Sequence, residues 1–240
     1  MSRRLLLIAV IILVSSTLLI SLGIANNKQN LSSKENLTPR SEEGIKYLPI
    51  GDSYTIGNGV NAQDRWPNVL TRHLNQAGVQ IQLIGNPAVS GYTVQDAVDY
   101  ELPQVKELQP DFVTVFIGAN DNFRGTSPSI YEQELKSLLD QLQGMMENPQ
   151  SIVLITIPDY SYSPAARGYN KQGISESIAR YNQIIKSQAE KRGLKVADIY
   201  PVSQSMTGAE DFISDGLHPS AAGYRKWEEV IFPVVLEVLK

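Results

Sequence analysis

Five short apolar runs, at residues 45–50, 79–84, 111–117, 151–157 and 194–199, alternate along the chain with longer stretches in which apolar side chains recur every three or four positions. Short runs rich in β-branched residues predict buried strands, and the 3.6-residue recurrence predicts helices with one packed face. The helical stripes are Trp66, Val69, Leu70, His73, Leu74 and Ala77; Val94, Ala97, Val98, Leu102, Val105 and Leu108; residues 130–146; Ile174, Ile178, Tyr181, Ile185 and Ala189; and Trp227, Val230, Ile231 and Val234. Gly78 and Gly193 are stop signals, Pro128 suits a first helical turn, Pro103 predicts a kink or two short helices, and Pro233 predicts a kink. Residues 158–172 read as a long loop, and the stretch from 200 to 220 as irregular. Strands alternating with helices predict an α/β fold: a three-layer α/β/α sandwich around a five-stranded parallel sheet with right-handed crossovers.

The first 43 residues carry a different pattern. Arg3 and Arg4 precede residues 5–24, which hold no charge and are numerous enough to span a bilayer. Gly23-Ile24-Ala25 offers a small-x-small cleavage site, so residues 1–25 are expected to be a signal peptide or an uncleaved membrane anchor. A twin-arginine signal is a less natural reading than a plain basic start, because the following run is so apolar. Residues 26–43, rich in Asn, Ser, Lys and Glu, read as a flexible linker. Residues 44–240 are then one catalytic-sized domain, placed outside the cytoplasm by the basic start of the chain.

Composition removes several functions. The absence of cysteine excludes disulfides, thiolate nucleophiles, Cys-based zinc sites and a lipidated cysteine anchor. Two histidines are too few for a multi-histidine metal centre, and a net charge of −4 without a basic stripe argues against nucleic acid. No cofactor is expected. The expected partner is an ester of a small molecule, lipid or carbohydrate, with membrane attachment through residues 5–24 as a further expectation.

The chemistry gathers just after the strands. Gly51-Asp52-Ser53-Tyr54 follows the first strand, and a serine on a tight turn at a strand's carboxyl end is exposed for reaction. Such a hydroxyl needs a base. Asp215 and His218, three residues apart before a last helix that Pro219 can open, allow the carboxylate to turn back onto Nδ1 and leave Nε2 free to take a proton. Gly91, without a Cβ, lets a substrate approach its N–H, and Asn120 at the end of the third strand can donate to an oxyanion without carrying charge. Each feature alone reads as a turn or a cap. Their convergence on one sheet edge makes them a serine-hydrolase site.

Gly51-Asp52-Ser53-Tyr54, Gly91, Gly118-Ala119-Asn120-Asp121 and Asp215-Gly216-Leu217-His218-Pro219 together resemble the four ordered blocks of the SGNH (GDSL-type) hydrolase family, over nearly the whole chain from residue 45 onward. The resemblance implies a flavodoxin-like fold and ester hydrolysis through an acyl-enzyme. It implies Ser53 as nucleophile, His218 as general acid/base and Asp215 as its orienter. The oxyanion donors it implies are the Ser53 and Gly91 backbone N–H groups and the Asn120 side chain. One departure is Ala88, where many relatives carry another glycine.

His73 is expected to be structural, Asp52 to stabilise the turn, Asp121 to bond nearby amides, and Trp66 and Trp227 to be core. Tyr160, Tyr162 and Tyr169 are open between pocket lining and a self-packed loop. Two other functions stay open: an acyltransferase using the same residues, and a catalytically silent binding module. Against the second, no GxGxxG or GxxxxGK phosphate loop is present.

Overall fold

A computed structural model describes residues 44–240; the expected signal or anchor segment and the linker lie outside the described residues. The chain order is β1 (Ile45–Gly51), α1 (Ser53–Ile56), α2 (Trp66–Gln76), β2 (Ile81–Leu83), α3 (Val94–Asp96), α4 (Leu102–Leu108), β3 (Phe112–Phe116), α5 (Ala119–Phe123), α6 (Pro128–Met145), β4 (Ile152–Ile155), α7 (Lys171–Arg192), β5 (Lys195–Ala197), α8 (Tyr200–Ser205) and α9 (Ala221–Leu239). All five strands are parallel, in the order β2-β1-β3-β4-β5. This is the α/β architecture the alternation predicts. The strands are shorter than their apolar runs, because a run continues into loop backbone that still packs inward: Ile117, Ile157 and Ile199 are buried beyond the ends of β3, β4 and β5.

Helices cover both faces of the sheet. α9 packs on α2 and on β4 and β5, while α6 lies between α4 and α7, and α7 contacts β4 and β5. The central strands β3 and β4 are buried at every position, so both their faces are apolar and the alternation of a half-exposed strand is absent. Trp66 and Trp227 are core residues. His73 is structural: its Nδ1 lies 3.0 Å from the buried Glu228 carboxylate.

Local structure adds detail beyond the sequence expectation at several points. Ahead of Pro103 the helical backbone, continuous from Val94 to Leu108, widens by one residue instead of dividing into two helices. A proline there cannot donate to the preceding turn, and residues Ala97–Glu101 form a wide π-turn in which the Leu102 N–H reaches the Ala97 carbonyl. Pro233 lies inside α9, which runs continuously from Ala221 to Leu239. Pro219 does not open that helix; Ser220 does, its Oγ accepting from the Ala222 and Gly223 N–H groups. The stretch read as irregular contains α8, and α1 and α5 are single turns too short to show a period.

Strand order reverses at β1, whose neighbours β2 and β3 lie on opposite sides, and Gly51 at its end is in register with Phe116 at the end of β3. Ligands of open parallel sheets bind outside such a reversal.

Candidate active site

Gly51 permits the sharp exit from β1. A Cβ there would lie 2.1 Å from Thr55 Oγ1 and 2.6 Å from the Phe116 carbonyl oxygen. Asp52 caps the following turn, its Oδ1 accepting the Tyr54 N–H at 3.0 Å, and Ser53 is the first residue of α1. The Ser53 residue is 8 % exposed and lines a cavity of about 730 Å³ together with Gly91, Asn120 and His218.

Asp215 and His218 meet as their spacing allows. The Asp215 Oδ1 accepts the backbone N–H groups of Leu217 and His218 at 2.8 and 2.9 Å, and Oδ2 lies 2.5 Å from His218 Nδ1. Gly216, at φ +69°, makes the turn between them. Burial acts to raise the Asp215 pKa, but the hydrogen bonds from His218 and the two backbone amides outweigh it and hold the carboxyl below its usual range. The ring is thus bonded on Nδ1 by an ionised carboxylate, the arrangement that orients an imidazole. Among the described residues no hydrogen bond joins the imidazole to the Ser53 hydroxyl; the two groups line one cavity.

The other two candidates are tied to each other. Asn120, in the first turn of α5, donates from Nδ2 to the Tyr92 carbonyl at 2.9 Å and to Asp52 Oδ2 at 3.2 Å. Arg124, just past α5, donates to the Gly91 carbonyl at 2.7 Å. Two bonds from the end of β3 therefore anchor the 90–93 loop. Gly91 has φ +91°, a conformation that favours glycine, and the nearest group to a Cβ there is the Arg124 guanidinium at 3.8 Å. Ala88 is buried away from the cavity, and neighbouring Asn86 ties this loop to α1 through the Thr55 carbonyl at 3.0 Å.

Asp52 stabilises the turn, as expected, and also holds Asn120. Its burial raises its pKa to about 7. Asp121 accepts from the Val94 N–H at 3.2 Å, and burial raises it to about 6. Of the loop tyrosines, Tyr160 and Tyr169 line the cavity, whereas Tyr162 stacks under the Lys171 ammonium. Tyr160 is fixed by a 2.7 Å hydrogen bond to Asn122.

Glu101 is a buried group the motifs do not disclose. It is fully buried in the wide turn before α4, and its Oε2 accepts the Gly51 N–H at 3.0 Å. A signal was available: position 101 lies four residues after Ala97 and seven after Val94, on the apolar stripe, where an acid must find a partner. Among the described residues, no group of three or more His, Cys, Asp and Glu side chains could hold a metal, and no helix is long and apolar enough to cross a membrane.

Comparison with known proteins bears on the family and the fold. The family model for the GDSL-like Lipase/Acylhydrolase family matches residues 50–226. A multidomain esterase of Ruminococcus flavefaciens is 29 % identical over 76 % of this chain, a match that spans 27 % of that longer protein. An arylesterase of Vibrio mimicus is 25 % identical over 76 % of this chain and 84 % of its own. The crystal structure of a lipase/acylhydrolase from Enterococcus faecalis superposes with a TM-score of 0.66 at 23 % identity, covering 80 % of this chain and 96 % of that one, which establishes the fold.

Proposed function

Because this chain belongs to the GDSL-like lipase/acylhydrolase family and is a carboxylic ester hydrolase, we propose that Ser53 is its nucleophile, His218 its general acid/base and Asp215 the residue that orients His218. The observation that carries this is the 2.5 Å Asp215–His218 contact on the wall of the cavity that Ser53 also lines. Ser53 attacks the ester carbonyl while Nε2 of His218 takes the hydroxyl proton. The imidazolium then protonates the departing alcohol, and water releases the acyl group by the same route. The oxyanion rests on the Ser53 and Gly91 backbone N–H groups and on Asn120. The Asn120 amide is shared: its longer bond, to Asp52, is the one an oxyanion competes for, while Tyr92 keeps the amide aimed.

The cavity supports an apolar acyl or aryl ester more than an acetylated sugar. Phe123, Tyr160, Ala165, Ala166 and Ile174 supply its walls, and the name of the Vibrio relative points the same way. Residues 5–24 support an extracytoplasmic enzyme, secreted or tethered. The test is hydrolysis of p-nitrophenyl acetate beside a Ser53→Ala control, with fluorophosphonate labelling of Ser53. Turnover and labelling that both vanish in the control are expected; a protein that neither turns over nor labels is a silent binding module. Acyl transfer to an added alcohol in preference to water would reassign it as an acyltransferase.

A further inference from the structure

A second cavity of about 370 Å³ adjoins the catalytic one on the other side of the 88–90 loop. Ser90 belongs to the walls of both. Asn58, in the wall of the second cavity, lies 3.5 Å from His218 Nδ1, so this space opens beside the catalytic turn rather than at a remote surface. Its lining differs from that of the first: Asn58, Arg65 and Ser90 stand among the small and aliphatic residues Ile56, Gly57, Gly59, Val60, Ala88 and Val89, and among the described residues no aromatic one lines it.

Arg65 is the feature that calls for a ligand. It is half-buried, and its stem lies across Gly57, where a Cβ would come within 2.4 Å of Arg65 Cγ. Its Nε is shielded from solvent and has no hydrogen-bond partner. Among the described residues it enters no ion pair, whereas Arg192, whose Nε is also shielded, pairs with Asp140. Only the Nε of this guanidinium is shielded, so its terminal fork stays free at the cavity, and a planar fork of N–H donors suits an oxyanion.

Resting on the esterase reading above, we propose that this second cavity is an anion subsite, in which Arg65 binds a carboxylate or phosphate carried by the alcohol half of the ester. The apolar acyl half occupies the larger cavity, and the two halves diverge at Ser53, next to the shared Ser90. Arg65 is then a specificity residue, not a participant in bond breaking.

The test compares the wild-type protein with Arg65→Gln and Arg65→Lys on two acetate esters of one shape, 4-acetoxybenzoate and 4-acetoxybenzamide, at fixed ionic strength. The measured quantity is the ratio of kcat/KM for the anionic ester over the neutral one; differences in intrinsic reactivity cancel between proteins. The ratio is expected to fall about tenfold in Arg65→Gln and to be largely kept in Arg65→Lys. An equal ratio in wild type and Arg65→Gln overturns the subsite. Should Arg65→Gln not fold, inhibition of the wild type decides. The product 4-hydroxybenzoate is expected to inhibit at about tenfold lower concentration than 4-hydroxybenzamide, and equal inhibition overturns the proposal. Wild-type turnover of the neutral ester, lost in Ser53→Ala, separates the two levels: its absence sinks the esterase reading, and its presence with an unchanged ratio sinks the subsite alone.

Discussion

Replacing Glu101 by Gln isolates the largest electrostatic burden among the carboxylates behind the site. Glu101 is fully buried, accepts one hydrogen bond from the Gly51 N–H, and leaves Oε1 without a partner. Burial pushes its pKa from 4.5 to about 8, with the nearby Asp52 and Asp96 adding to the rise and the Gly51 N–H opposing it. Between those two values the native protein keeps a proton that the unfolded chain has released. The unfolded state then binds fewer protons, so stability falls as pH rises. Each pH unit across that interval is worth about 1.4 kcal/mol, and the whole interval about 5 kcal/mol, a large share of the roughly 5–15 kcal/mol that holds a domain together. The loss begins near pH 4.5 and levels off above pH 8. Gln has the same shape, keeps an oxygen for the Gly51 N–H and does not ionise. Urea unfolding of both proteins at several pH values, followed by tryptophan fluorescence, gives the stability gap. The gap in favour of Glu101→Gln is expected to widen by about 5 kcal/mol between pH 4.5 and 8. Asp121, raised to about 6, tilts both proteins alike and drops out of the difference, whereas Asp52, raised to about 7, interacts with Glu101 and its titration contributes to the gap near pH 7. A gap that stays constant with pH would show that Glu101 titrates alike folded and unfolded, and would refute the reasoning.

Asn120→Ala should lower kcat by roughly 10²–10³, the effect of losing one oxyanion donor, with KM for p-nitrophenyl acetate little changed; a near-normal kcat removes Asn120 from the oxyanion set. Phe123 and Tyr169 are 78 % and 72 % exposed yet line the large cavity. Replacing both by Ala should reduce kcat/KM for p-nitrophenyl octanoate by about tenfold relative to the acetate, from lost apolar contact with the chain. A chain-length profile identical to wild type would place the acyl chain elsewhere.

Local chemistry carried much of this protein in its linear order. Five apolar runs separated by periodic stretches specify a parallel sheet, because strands buried on both faces have no polar side to show and parallel strands need a helix to return. The Asp215–His218 pair was equally legible, since three residues with Gly216 between them close on themselves whatever surrounds them. The blocks around Ser53, Gly91 and Asn120 were legible as strand ends, and every strand end of a parallel sheet lies on one edge.

Tertiary packing decided the rest. The wide turn ahead of Pro103, which holds Glu101, depends on the helix register slipping to a longer hydrogen bond that no residue pattern prescribes. The sharing of the Asn120 amide between Asp52 and Tyr92, and the grip of Arg124 on the Gly91 carbonyl, join residues 28 to 68 positions apart. That Arg65 lies beside a second cavity with no carboxylate paired to it among the described residues depends on where distant segments pack. Such facts concern distances between segments, and a sequence read in windows records what each segment prefers, while the partner each one meets is set only when the sheet closes and the helices dock.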